Sequence, residues 1–276
     1  MALHFDHVPT SEGELREFYR SGDFPWHDRE TYASDPLVRE KDELLEAEIE
    51  KLRPEKLLDV GCGCGLFLER AARHAARLAV GLDVSEKGFR AAPPANARFV
   101  AAGASALPFK NESFDCVVCS EVLEHLVSPQ TALLEIRRIM TPNATLVVTV
   151  PNLFCWDSIE AKTGLVGRAL GIANSVRRAM KLPPLFPAGY STHLTKKTPG
   201  GWRKTLTGSG FSVAAELPVY VFPYVPYSLK TLKKWESALW KNRAVRKIRE
   251  TAQPLARRRL PFRLPGQLHL FVCKNE

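Results

Sequence analysis

The run Leu57-Leu58-Asp59-Val60-Gly61-Cys62-Gly63-Cys64-Gly65 passes from a short apolar stretch straight into alternating glycines. An apolar run bounded by glycine reads as a buried strand, and the pattern over 66–76 that follows it reads as a helix. Gly61, Gly63 and Gly65 tolerate positive φ and carry no Cβ, so a ligand can approach the backbone of such a turn. The helix start beyond it leaves N–H groups unpaired, which favours a polar or anionic group there. A second apolar run, Leu78-Ala79-Val80-Gly81-Leu82, ends in Asp83. A carboxylate at that strand end is placed to accept hydrogen bonds from ribose hydroxyls. Turn and acid together predict a nucleoside-bearing cofactor.

The same alternation continues along the chain. Strands are expected near 56–61, 78–83, 97–102, 114–120, 144–150, 211–219 and 268–274, with helices near 66–76, 86–92 and 129–140. Alternating strands and helices imply a parallel sheet covered on both faces, with the ligand at the carboxyl ends of the strands. The 276 residues suffice for one large α/β domain with insertions, or two small domains. There is no apolar run of the length a spanning helix needs, and the polar start of the chain has no secretory or transit character. The six cysteines lie in apolar contexts. Cys116 and Cys119 fall within an expected strand, not at a helix start, so they read as packing residues in a reducing, cytoplasmic setting.

The nicotinamide fingerprint is G-x-G-x-x-G; here the spacing is G-x-G-x-G, with Asp59 two residues before the first glycine. That pattern resembles motif I of the class I S-adenosylmethionine-dependent methyltransferases. The resemblance runs from about 55 to 152. Leu107-Pro108-Phe109 with Ser113-Phe114-Asp115 is similar to that family's adenine loop and fourth strand. Ser120-Glu121-Val122-Leu123-Glu124-His125-Leu126 is similar to its post-strand-four segment, and Ala144-Thr145-Leu146-Val147-Val148-Thr149-Val150-Pro151-Asn152 to strand five. The resemblance implies a Rossmann-like, doubly wound, seven-stranded and mostly parallel sheet with an antiparallel C-terminal edge hairpin and helical insertions. It also implies S-adenosylmethionine as cofactor, with Asp59, Gly61, Gly63, Gly65, Asp83, Ala104, Ser105 and Ser120 around it. One departure concerns adenine. Many relatives carry Asp two residues before the Ser105 position, where this chain has Gly103.

Glu121, Glu124 and His125 would share one face if a helix begins after strand four. With the later segment Gly189-Tyr190-Ser191-Thr192-His193-Leu194-Thr195, their order resembles the ubiquinone-biosynthesis O-methyltransferases and the small-RNA 3′-end 2′-O-methyltransferases. In those families E-x-x-E-H and a later His hold a divalent cation. By that likeness Glu121, Glu124, His125 and His193 are candidate ligands for Mg²⁺ or Mn²⁺, or for Zn²⁺. Two other roles stay open: His125 or His193 as a metal-free general base, and purely structural histidines.

Four regions follow: a helical segment 1–54, in which Trp26, His27 and Tyr32 could fold over the cofactor as a lid; a cofactor-binding core 55–152; a helical insertion 153–200 on the substrate side; and 201–276, completing the core around a basic insertion at about 223–265. Residues 230–263 hold 12 Lys/Arg and two Glu, a net of +10 in a chain of +9. The positive charge is therefore local. Interleaved with Trp235 and Trp240, it suits an anionic membrane surface, while a solvated helix and an RNA contact are the competing readings. The expectation is methyl transfer to a hydroxyl oxygen of a small, amphiphilic or lipid-like acceptor. The alternatives are 2′-O-methylation of RNA ends and a non-catalytic docking module at a membrane surface.

Overall fold

The structure, a computed structural model, describes residues 9–22, 28–89, 93–153, 193–219 and 268–276. Seven strands form one sheet in the order β3-β2-β1-β4-β5-β7-β6: β1 (Lys56–Val60), β2 (Leu78–Asp83), β3 (Ala97–Ala101), β4 (Phe114–Ser120), β5 (Met140–Pro151), β6 (Phe211–Val219) and β7 (Leu268–Asn275). The first five run parallel. β7 lies antiparallel to both β5 and β6, giving the expected C-terminal edge. Strand order reverses at β1, whose neighbours are β2 and β4, and a crevice opens at such a switch point.

Period-two alternation sends the strand side chains into two cores. Leu58, Val60, Val117, Leu146 and Val148 face one layer, and α5 (Pro129–Ile139) covers them with Leu133 and Ile136. Leu57, Ala79, Val118 and Val147 face the other, under Leu45 and Ile49 of α3 (Pro36–Leu52) and Phe67 and Leu68 of α4 (Leu66–Ala71). Cys116 and Cys119 are buried free thiols on opposite faces, as strand packing requires. α5 starts where Ser128 caps the Thr131 N–H and Pro129 occupies the first turn. Thr198 and Pro199 do the same for α6 (Pro199–Gly208), which buries Trp202 completely.

Two expected helices are shorter than the sequence suggests. α4 gives way after Ala71 to tighter i→i+3 turns (Arg73 N–H to Arg70 O, His74 N–H to Ala71 O), and the backbone groups beyond are taken elsewhere. The Ala76 N–H donates to Pro54 O, those of Arg77 and Leu78 to Glu55 O, and Asn96 Nδ2 donates to Ala72 and Ala75 carbonyls. The segment expected as a helix over 86–92 is a single 3₁₀ turn, Glu86–Gly88. Gly88 lies so close to the Gly63 carbonyl that a Cβ would come within 2.4 Å of it. Phe89 then extends and stacks on Phe99, and 90–92 lie outside the described residues. In the other direction, β5 starts four residues before the expected 144, running on from the end of α5.

Ahead of the sheet, α1 (Glu12–Ser21), α2 (Arg29–Ser34) and α3 cross the carboxyl ends of the strands and the flank of α4. Arg29 grips Glu69 through two 2.6 Å hydrogen bonds, and Glu46 takes Arg70 and His74. Trp26, His27, the helical pattern expected within 153–190 and the basic stretch 230–263 lie outside the described residues. No described helix is long and apolar enough to cross a membrane.

Candidate functional site

The carboxyl ends of β1, β2 and β4 open into a cavity of about 270 Å³, roofed by α1 and α3. Its floor is the turn after β1. Gly61, Gly63 and Gly65 all have positive φ (77°, 52° and 71°), as the glycine pattern predicts. The reason for glycine differs among them. A Cβ on Gly61 would stand 2.2 Å from Val122 Cγ2, and one on Gly65 2.5 Å from the Phe99 ring, so at these two positions protein atoms fill the space. Gly63 lies on the cavity wall, its N–H donating to Asp83 Oδ2 at 2.9 Å. Asp83 also accepts from Ser85 N at 2.9 Å. The carboxylate is thereby fixed at the strand end, the position from which it accepts hydrogen bonds from ribose hydroxyls in such folds.

Of the residues singled out from the sequence, Gly61, Gly63, Asp83, Ala104, Ser120, Glu121 and His125 line the cavity. Asp59 does not. It sits beneath the turn, 2% exposed, where burial raises its carboxyl to about 7 against the pull of Lys41. Gly65 also stands back from the wall, and the Ser105 hydroxyl donates to Glu12 Oε2 at 3.2 Å. Ser120 Oγ and Thr149 Oγ1 are 2.9 Å apart.

The second constellation forms without the expected helix. Glu121 has φ +57°, a left-handed backbone that is unusual outside glycine, and only a 3₁₀ turn, Leu123–His125, follows it. The side chains are gathered by pairing instead. Thr195 N donates to Glu124 O at 2.9 Å and Thr195 Oγ1 to Leu126 O at 3.3 Å, pinning the 193–197 segment against the turn. The His125 and His193 rings thereby come to 4.9 Å between centroids, with His125 Nε2 3.7 Å from Glu124 Oε1. Ligand atoms of Glu124, His125 and His193 lie within 4.8 Å of one another; Glu121 is outside that trio.

Electrostatically this is an acid cluster short of donors. Among the described residues, Glu121 Oε1 and both Glu124 oxygens are buried without a hydrogen-bond partner. Burial raises the Glu121 carboxyl, with Lys41 opposing; burial and the charge of Glu121 push Glu124 well above the usual range. His193 is lowered to about 3 by burial and by the charges of His125 and Lys196, so its imidazole is neutral and offers a lone pair. Such a set of orphaned carboxylates and imidazole nitrogens fits a divalent cation.

Sequence reasoning missed three cavity residues on the helices that roof it. Lys41 is 4% exposed and donates to Tyr32 Oη at 2.9 Å, with Asp42 at 3.6 Å. Burial disfavours its ammonium, but Tyr32, Asp42 and Glu121 more than offset this, so the charge is held. A signal was present: Lys41 begins the i, i+4, i+8 stripe continued by buried Leu45 and Ile49. Tyr32, expected as a lid residue, does line the cavity. Tyr19 Oη lies 2.9 Å from His125 Nδ1, and Glu12 reaches the opposite rim; neither pairing has a local signature.

Residues 58–148 match the family described as a methyltransferase domain. The chain is 34% identical over 146 residues to an uncharacterised protein of Methanocaldococcus jannaschii, covering 50% of this chain and 61% of that one. It is 33% identical to the ubiquinone biosynthesis O-methyltransferase of Roseobacter denitrificans, covering 38% of this chain and 45% of that one. The chain thus spans less than two thirds of the length of the curated relatives it matches. Two solved structures share the fold. The N-methyltransferase NodS of Bradyrhizobium japonicum, in complex with S-adenosyl-L-homocysteine, has TM-score 0.52 at 13% identity, with 97% of this chain and 99% of that one covered. The [4+2]-cyclase SpnF has TM-score 0.53 at 20% identity, over 84% and 80%. Among the described residues, strand order and edge hairpin agree with the architecture expected from sequence.

Proposed function

We propose that the chain carries a class I S-adenosylmethionine-dependent methyltransferase domain and that the protein methylates a hydroxyl oxygen of a small or amphiphilic acceptor. The observation that carries the reading is the pair of imidazoles, His125 and His193, held beside Glu124 at the strand ends. When bound, S-adenosylmethionine supplies an electrophilic methyl group on a sulfonium. The residues of the chain do the rest. The turn at Gly63 and Asp83 holds the nucleoside end, and Lys41 offers the buried cation for the carboxylate of the amino-acid end. Glu121 sets a negative environment toward the sulfonium. An imidazole nitrogen of His125, which lines the cavity, takes the proton of the acceptor hydroxyl. Fixing the oxygen at near-attack distance contributes roughly 7–11 kcal/mol in favourable cases. The O-methyltransferase relatives favour oxygen over nitrogen as the acceptor atom.

The test has two stages. Calorimetry with S-adenosylhomocysteine checks the cofactor site. Labelled methyl transfer into an extract then identifies the acceptor atom: base-stable ether label is the expected result, whereas label on nitrogen, or released by base as methanol, refutes a hydroxyl acceptor.

A second reading rests on the orphaned carboxylate oxygens. Glu121, Glu124, His125 and His193 would hold Mg²⁺ or Mn²⁺, or Zn²⁺, and a bound cation there lowers the pKa of a coordinated hydroxyl. Mn²⁺ binding read by electron paramagnetic resonance, and Zn²⁺ binding by calorimetry, should both weaken at least tenfold in Glu124→Gln. Absence of binding to the unaltered protein rejects the metal. Membrane and RNA contacts through 230–263 concern residues outside those described.

A further inference from the structure

The adenine end of the cavity has an unusual wall. Asp83 pairs with Ala101 across β2 and β3, so a base attached to a ribose at Asp83 extends over the end of β3 onto Ala102, Gly103 and Ala104. The exocyclic amine of adenine is a donor, and a donor enclosed in a pocket requires an acceptor. This wall presents no polar side chain of its own: Gly103 has none, and a Cβ added there would meet nothing within 4 Å. The space is present but the acceptor is not.

Three acidic side chains line the cavity: Asp83, Glu121 and Glu12. Asp83 belongs to the ribose and Glu121 to the opposite, sulfonium end. Glu12 arrives from the first turn of α1. Its Oε2 accepts from Ser105 Oγ at 3.2 Å and its Oε1 from Ser128 N at 3.3 Å, which hold the carboxylate on the cavity rim at Ser105, two residues beyond Gly103. Each oxygen keeps a further lone pair. We propose that Glu12 is the specificity residue that accepts the 6-amino group of the cofactor's adenine, supplying from α1 the carboxylate that the β3 end lacks. The inference rests on the S-adenosylmethionine reading above. It also couples the two ends of the site, since the helix that reads the base carries Tyr19 to His125.

The experiment compares S-adenosylhomocysteine with S-inosylhomocysteine, whose 6-oxo group replaces the amine, by calorimetry. The unaltered protein should prefer the adenosine ligand at least tenfold. Glu12→Ala should weaken that ligand roughly tenfold or more and leave the inosine ligand unchanged. Glu12→Gln, whose amide can donate to a 6-oxo group, should narrow or reverse the preference. Glu12→Ala combined with Gly103→Asp should restore it by supplying a carboxylate from the sheet side. Equal losses for both ligands in Glu12→Ala would make Glu12 a mere tether of α1 and overturn the proposal while leaving the cofactor reading intact. Failure of the unaltered protein to bind S-adenosylhomocysteine at all would overturn both.

Discussion

Replacing Asp59 by asparagine should stabilise the ligand-free protein more at pH 8 than at pH 5. Asp59 is 2% exposed in β1, and burial raises its carboxyl from the ordinary 3.8 to about 7. For an acid raised on folding, the folded state holds its proton over a pH range in which the unfolded chain has released it. Stability is therefore greatest below the unfolded value and falls as pH rises toward the folded one. The full displacement corresponds to roughly 4 kcal/mol. Between pH 5 and pH 8 the linkage relation assigns about 2.5 kcal/mol of that loss to this one group. The asparagine amide does not titrate, so the gain from Asp59→Asn should be larger at pH 8 by that amount, whatever its absolute size. Urea unfolding of both proteins at the two pH values measures it through the shift in midpoint. An equal effect at both pH values would mean that Asp59 is ionised throughout, with Lys41 outweighing burial, and the electrostatic account of the turn's underside would be wrong.

Lys41→Met should weaken S-adenosylhomocysteine about tenfold or more, as expected for a charge-assisted hydrogen bond, yet leave 5′-methylthioadenosine, which lacks the amino-acid tail, unchanged. Calorimetry with the two ligands separates this from general damage to the cavity. Gly61→Ala should destabilise the protein by roughly 2–4 kcal/mol, from strain at positive φ and the clash with Val122. Adding Val122→Ala should recover only the clash, read as a partial return of the denaturation midpoint.

Much of the sheet was legible because β1, β2 and β4 are buried runs that punctuation residues end cleanly. β5 shows where that legibility stops. Its first residues, Met140-Thr141-Pro142-Asn143, look like a turn, and Asn143 does have φ +62°, yet the chain enters the sheet directly from α5. The helix expected over 86–92 failed for a tertiary reason, the close seating of Gly88 on Gly63. In the site, Asp83 and the glycines follow from a local pattern. The gathering of His193 with Glu124 depends on hydrogen bonds from Thr195 that no periodicity encodes. Glu12, Tyr19 and Lys41 come from helices whose docking is set by packing, and only Lys41 left a trace, as a cation in an apolar stripe. The positive φ of Glu121 had no sequence marker.

The place of β7 also bears on how the molecule is made. Within the described sheet β6 has β7 as its sole neighbour, and residues 220–267 separate them in the chain. A ribosome adding about 5–20 residues per second would take roughly 2–10 s to deliver that stretch. Throughout that delay β6 is an orphan strand and β5 an open edge, both able to template wrong pairings. Nascent chains should therefore be most vulnerable to aggregation, and most dependent on chaperones, in the interval before β7 slides between them.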